Sequence, residues 1–484
     1  MSKNIKSIER VKEMSEKIYR DYFEDKEDFD KNHFDYKNLK IPEGVEAQPL
    51  TVPPVLKPDK ETATDVWFTL ESIVGESQIL PGEKTKTWGY NAPLLGKTMV
   101  VEKGKRVHVT LKNSLPELTT YHWHGIEVPG SITDGGCHAP VYPGEEKQIE
   151  FTVHEHNQLD YRADYNQMGI FGDTPMINGV VRPYVDVTTQ KVRLLFLGGS
   201  NRREWRLHFD DDLVMTQIAG DDSFLPHPIK MTKLLVTPGE RLQVIVDFGQ
   251  YHEGDVVSLY TDDFKLIEFR IHKFEDDNSE IPATLFTPEI PEVDPSLTVR
   301  KVTMDGCDKM NGKRFAMQRI DMKQKVGQAE YWDVTNSKKE GMIHPFHIHG
   351  THFLVVSRNG KKPYPNEVGV YKDTVPVAPG ETVRLLVKFP LEGVFMYHCH
   401  IIEHEDAGMM AQIEIFDPDH PKTYKLMDMK TLTKAFAEER GVKPEDVWMP
   451  GMDTEGCDMK KADVVSGASE EADHADASTG ASEQ

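Results

Sequence analysis

The sequence predicts an all-β protein built from related β domains, and three observations predict it. One short motif recurs along the chain, at Pro143-Gly144-Glu145, Pro238-Gly239-Glu240 and Pro379-Gly380-Glu381. Each copy introduces a strand-like run: Gln148 to Val153, Arg241 to Phe248 and Thr382 to Phe389. The last two, RLQVIVDF and TVRLLVKF, alternate apolar and polar residues or carry β-branched runs, as strands do. Pro-Gly supplies the tight turn before each. Helical periodicity, by contrast, is confined to the two ends of the chain. The length of 484 residues is also too great for one ordinary domain. A turn-plus-strand unit repeated three times therefore suggests three related β domains.

Taken in order, Ile5, Ile8, Val11, Met14 and Ile18 recur at helical spacing among charges, which predicts an amphipathic helix within an N-terminal extension, residues 1–60. The first β domain is expected over 61–158, where Val100 to Leu111 reads as strand, turn at Gly104, strand. The second is expected over 159–278, with Val192 to Leu197 as an apolar strand, and the third over 295–418. An appendage over 419–462 holds a helix from Leu432 to Arg440, with Thr431 as N-cap and Gly441 just past its end. Residues 463–484 contain no Lys or Arg and little to bury, so a disordered acidic tail is expected.

Charge narrows the function. There are 57 basic and 80 acidic residues, a formal net of −23. Such a surface repels nucleic acid and anionic membrane, so neither is expected as a partner. No apolar run reaches the roughly 18 residues of a membrane-spanning helix. The first 25 residues lack the apolar core of a signal peptide, so a cytoplasmic location is expected. The four cysteines, Cys137, Cys307, Cys399 and Cys457, form no disulfide framework for a chain of this size.

The 20 histidines carry the functional signal, because many sit in short clusters. The strongest is His398-Cys399-His400-Ile401-Ile402-Glu403-His404-Glu405-Asp406-Ala407-Gly408-Met409. Two imidazoles and a thiolate in a plane, with a weak axial thioether, are the donor set of a blue copper site, and Cys399, His404 and Met409 supply three of the four. In a strand, neighbouring side chains point to opposite faces, so Cys399 can serve one metal while His398 and His400 face others. Two further segments are His344-Pro345-Phe346-His347-Ile348-His349-Gly350 and Tyr121-His122-Trp123-His124-Gly125, each with a same-face His-x-His pair. Taken singly, a His-x-His pair is weak and a lone apolar Cys is usually core. Zinc also takes His and Cys, but does not account for one Cys against many paired histidines, or for the Met.

The segments HWHG, HPFHIHG and HCHIIEHEDAGMM resemble three of the four copper signatures of the multicopper oxidase family, of the laccase and bacterial spore-coat and copper-efflux oxidase type. The resemblance implies cupredoxin-like Greek-key β-sandwiches, three in the family plan. It implies a mononuclear blue site at His344, Cys399, His404 and Met409. A trinuclear cluster would take His122 and His347 at its single copper and His124, His349, His398 and His400 at its coupled pair. Asp134 and Glu405 match the family's acidic residues near the cluster, where reduction of dioxygen to water consumes protons. It further implies copper, up to about four ions in the family plan, a small-molecule or metal-ion reducing substrate such as a phenol, an aromatic amine or Cu(I), dioxygen as acceptor, and a monomer.

The fourth signature, a second His-x-His pair late in the first domain, is not found in its usual context. His398 lies 18 positions after Gly380, and the same offset from Gly144 reaches Arg162, in Tyr161-Arg162-Ala163-Asp164. His154-Glu155-His156 arrives early and reads as a solvated turn. Gly144 and Gly239 are 95 positions apart, but Gly239 and Gly380 are 141 apart. The junction of the first and second domains is therefore expected to be truncated near Gln158, leaving the blue site intact and the cluster short of two ligands. The alternative function is then a copper-binding electron-transfer or scaffold protein without oxidase turnover. Two sulfur clusters, Met304/Cys307/Met310 and Met449/Met452/Cys457/Met459, suit Cu(I) but read as ordinary loops, and Cys137 stands near Asp134 as an adventitious ligand.

Overall fold

The computed structural model describes residues 2–23, 38–130, 133–153, 172–289, 294–337, 341–427 and 429–444. The fold is all-β and cupredoxin-like. The recurring Pro-Gly-Glu turn is built the same way three times. Gly144, Gly239 and Gly380 adopt φ of 76, 84 and 75°, a region glycine enters without strain. Each following glutamate folds back to accept a backbone N–H three residues earlier: Glu145 from Tyr142, Glu240 from Thr237 and Glu381 from Ala378.

In the N-terminal part, a six-stranded sheet runs Leu95–Gly96, Thr85–Tyr90, Asp65–Ser77, Arg106–Asn113, Glu146–Thr152, with Lys60–Glu61 pairing on Asp65–Ser77 off this path. Alternation along Asp65–Ser77 turns Val66, Phe68 and Leu70 inward, as a half-buried strand requires. Val100 to Leu111 departs from expectation, because only its second half is a strand. Met99 and Val101 pack on the core instead, and Lys105 pairs with Glu61 and Glu102 at the turn.

The middle part pairs a six-stranded with a four-stranded sheet, Pro183–Thr189 through Phe264–Glu275. A tight Asn178-Gly179 hairpin, both residues at positive φ, precedes it. The helix Ser2–Phe23 lies on this part. Met14 and Ile18 pack on its core, and Ser15 Oγ accepts the Thr232 N–H at 3.1 Å. The C-terminal helix spans Met429–Arg440, and Gly441 follows at φ 64°. Among the described residues no helix is long and apolar enough to cross a membrane.

The part that positions the site is a pair of sheets between Val299 and Phe416. Its core buries Trp332, Phe346, Phe389 and Tyr397 completely, each stabilising the fold by roughly 1.5–3 kcal/mol. The five-stranded sheet runs Met322–Lys325, Met410–Phe416, Gly393–Cys399, His344–Ile348, Thr374–Val377. All five residues of His344–Ile348 are buried. Register sets Phe346 opposite Cys399 and His347 opposite His398. Phe346, Ile348, Phe395, Tyr397 and Cys399 belong to the apolar core. The alternate positions therefore carry the histidines to the other face. The N-terminal part meets this strand closely: a Cβ on Gly393 (φ 154°) would lie 2.6 Å from the Cα of Gly130. Residues 154–171, with His154, His156 and the expected truncation point, lie outside the described residues, as do Met449 to Met459 and the tail.

Candidate metal centre

The strand end at Cys399 brings one donor set together. Cys399, His404 and Met409 are fully buried and His344 nearly so. Cys399 Sγ lies 3.6 Å from His404 Nδ1, and the His344 and His404 rings are 5.1 Å apart, edge to face. The loop between Cys399 and Met409 is not irregular. It forms a short helix, Ile402–Ala407, ended by Gly408 at φ 113°. Met409 N–H then donates to His404 O at 2.8 Å and Cys399 N–H to Met409 O at 3.2 Å, which closes the loop on itself. Burial pushes the Cys399 thiol well up and the His404 imidazole well down.

On the opposite face, six histidines from three segments form one nest. His122 stacks on His349 at 3.7 Å and His124 on His347 at 3.9 Å. His398 and His400 close it, with centroids 5.2 Å from His349 and His124. Several rings commit Nδ1 to the protein and turn Nε2 inward. His347 Nδ1–H donates to the Asp373 carbonyl at 3.0 Å and His398 Nδ1–H to the Cys399 carbonyl at 2.9 Å. Asp134 Oδ2 receives His349 Nδ1 at 3.0 Å, and its Oδ1 lies 3.2 Å from His122 Nδ1. Such partners fix tautomer and ring orientation in metal sites.

Burial holds His124, His349 and His400 down to about 3, so they are neutral donors at ordinary pH. His122 goes the other way: burial opposes its charge, but Asp134 outweighs burial and raises it. Four buried ring nitrogens, His122 Nε2, His347 Nε2, His400 Nδ1 and His404 Nε2, have no hydrogen-bond partner among the described residues. Buried polar atoms are normally satisfied, so this pattern fits metal ligands. Two groups of possible ligand atoms converge within 4.8 Å: His122/His347/His349 and His124/His347/Asp373.

Of the acidic residues named from sequence, Asp134 is buried in the nest, whereas Glu405 stands at its rim, 3.4 Å from His398 Nδ1. Asp373, Arg241, Asp222 and the part played by Gly239 were missed. Asp373 Oδ1 contacts His124 Nε2 at 3.0 Å. Arg241 grips Asp373 with two hydrogen bonds of 2.6 Å each and reaches Asp222 Oδ1 at 2.8 Å. Burial and the neighbouring Asp373 push Asp222 well up, while Arg241 holds Asp373 well down despite burial. Gly239, of the second Pro-Gly-Glu turn, abuts His400, where a Cβ would fall 2.6 Å from the ring. The only sequence signal for this group is an acid directly before the apolar strand Thr374–Val377. Cys137 is not drawn into the nest. It packs, as Met396 and Met427 do, against the buried cluster of Phe315, Met317, Met410 and Ala437, and the adjacent His138 binds Gln412 and the Met427 N–H. Met304 and Met310 are core residues paired across a hairpin.

Comparison with known proteins agrees with this geometry. Residues 74–176 and 288–419 each match a family described as "Multicopper oxidase". The multicopper oxidase mco of Staphylococcus aureus is 32% identical over 440 residues, covering 78% of this chain and 94% of that protein. The chain belongs to the multicopper oxidase family. A multi-copper oxidase from Pediococcus acidilactici is 44% identical, with TM-score 0.77 over 80% of this chain and 95% of that one. A multicopper oxidase from Campylobacter jejuni, described as a metallo-oxidase, is 26% identical, with TM-score 0.66 over 79% of this chain and 97% of that one. Multicopper oxidases are copper-dependent oxidoreductases that use dioxygen, and family membership implies copper binding here.

Proposed function

We propose that this multicopper oxidase is of the laccase type, oxidising phenols, aromatic amines or Cu(I) and reducing dioxygen to water. His344, Cys399, His404 and Met409 would hold a blue copper, and His122, His124, His347, His349, His398 and His400 a cluster. Copper bound there supplies one-electron redox chemistry and the reduction of dioxygen. The observation that carries this reading is the shared register: His347 opposite His398 and Phe346 opposite Cys399, with the two donor sets on opposite faces of one sheet. His398 and His400 are the immediate chain neighbours of Cys399, so a few covalent bonds join the sets. Asp134 fixes His349 and His122, while Glu405, partly exposed beside His398, is placed to pass protons from solvent. The matching turns at Gly144, Gly239 and Gly380 support three domains over 61–158, 159–278 and 295–418.

The test is copper analysis with an absorption spectrum and oxygen uptake on one purified, copper-loaded sample. Roughly four coppers, an intense blue thiolate band and oxygen uptake in step with a phenol are expected. A blue band with no uptake, whichever phenol, aromatic amine or Cu(I) is offered, would overturn the oxidase reading in favour of electron transfer.

A further inference from the structure

The loop after the strand Lys191–Leu197 leaves the middle sheets and crosses the Cys399–Met409 loop. Its Asn201 carbonyl accepts the Ile402 N–H at 3.3 Å, and Asn201 Nδ2 donates to Glu403 Oε1 at 2.7 Å. On its other side Arg203 is tied to Asn38 Oδ1 at 2.8 Å and to Gly172 O at 3.0 Å. Between these anchors stands Arg202, only 1% exposed. Its Nη2 reaches the Sδ of Met342 at 3.7 Å, and Met342 lies two positions before His344. One guanidinium is thus packed between the segment that carries His344 and the loop that carries Cys399, His404 and Met409.

A buried cation costs several kcal/mol of desolvation, so its place beside a metal site asks for a reason. We propose that Arg202 sets the redox balance of the blue site, its buried positive charge favouring Cu(I) over Cu(II). The oxidised site carries one more positive charge than the reduced one. A fixed neighbouring cation therefore penalises the oxidised form, and a dry surrounding lets that field act. Glu403, 1% exposed and bonded to Asn201, is the acidic side chain on the same loop. This inference rests on the blue-copper assignment of the Cys399 set.

The test is a redox titration of the blue absorption in copper-loaded wild type and in Arg202→Gln, Arg202→Met and Arg202→Lys. The neutral variants should shift the Cu(II)/Cu(I) equilibrium about tenfold toward Cu(II), a fall of about 59 mV for a one-electron couple, with Lys close to wild type. Neutral variants that keep both the blue band and the wild-type potential would overturn the proposal, as would a Lys variant that falls as far as they do. If the neutral variants do not load copper, the nearly isosteric Glu403→Gln carries the test: with no carboxyl left on the loop to offset Arg202, the potential should rise. An unchanged potential there overturns the proposal. Failure of the underlying assignment looks different, because wild type itself would show no blue band.

Discussion

The two donor sets lie back to back on one sheet but are assembled in different ways. The set at Cys399 comes from residues 344–409 alone and is closed by bonds within its own loop. The nest needs His122, His124 and Asp134 from the N-terminal part, five groups from the C-terminal part, and Arg241 and Gly239 from the middle sheets. A site of the first kind stands or falls with local folding. A site of the second kind depends on the docking of three parts of the chain, and its weak points lie far from its ligands.

That contrast can be broken from either side. Cys399→Ser should remove the blue band entirely and take substrate oxidation to background, while metal analysis loses about one copper per chain and the nest stays loaded. Loss of all copper would instead tie the two sets together. Arg241→Met should do the reverse. It strands Asp373 and Asp222 without their cation, and breaking such a buried network costs about 3–5 kcal/mol. Chemical denaturation should show that loss, with the blue band spared and the nest depleted.

Acid should act on the copper-free nest in particular. Burial lowers His124, His349 and His400 to about 3 in the fold, against about 6.5 unfolded. Between those values the unfolded chain binds more protons, so stability falls as pH drops from about 6.5 toward 3, by up to about 1.4 kcal/mol per pH unit for each of the three. Unfolding of the copper-free protein at pH 7, 6 and 5 measures the slope, and a flat profile would contradict neutral buried rings. The smallest effect is expected for Asp373→Asn, which keeps shape but weakens the hold on His124 and His347. Copper affinity of the nest should fall about 10–100-fold, read by chelator competition, with the blue site unchanged.

Legibility in the sequence followed the same divide. Motifs such as HPFHIHG and HCHIIEHEDAGMM are readable because strand geometry fixes the faces of neighbouring residues over a few positions. The Pro-Gly-Glu repeat was readable for the same reason, since each glutamate bonds within its own turn. Asp373 and Arg241 were not readable. They are 132 positions apart, and neither stands in a motif. Arg202 is likewise given meaning only by the loop that carries it onto Ile402 and Glu403. The helix Ile402–Ala407 was not legible, because its N-cap position, Ile401, carries no capping side chain to announce it.

The strand His344–Ile348 has a consequence for how this protein can evolve. It carries His344 for one set and His347 for the other, held in fixed pairing with Gly393–Cys399. A single residue inserted into or deleted from either strand would turn that strand's donors beyond it to the opposite face, out of step with those of its partner. Change of length is therefore closed to this sheet and left to the loops around it. Within a lineage, new substrates should arise by rewriting those loops while the spacing from His344 to Ile348 stays constant.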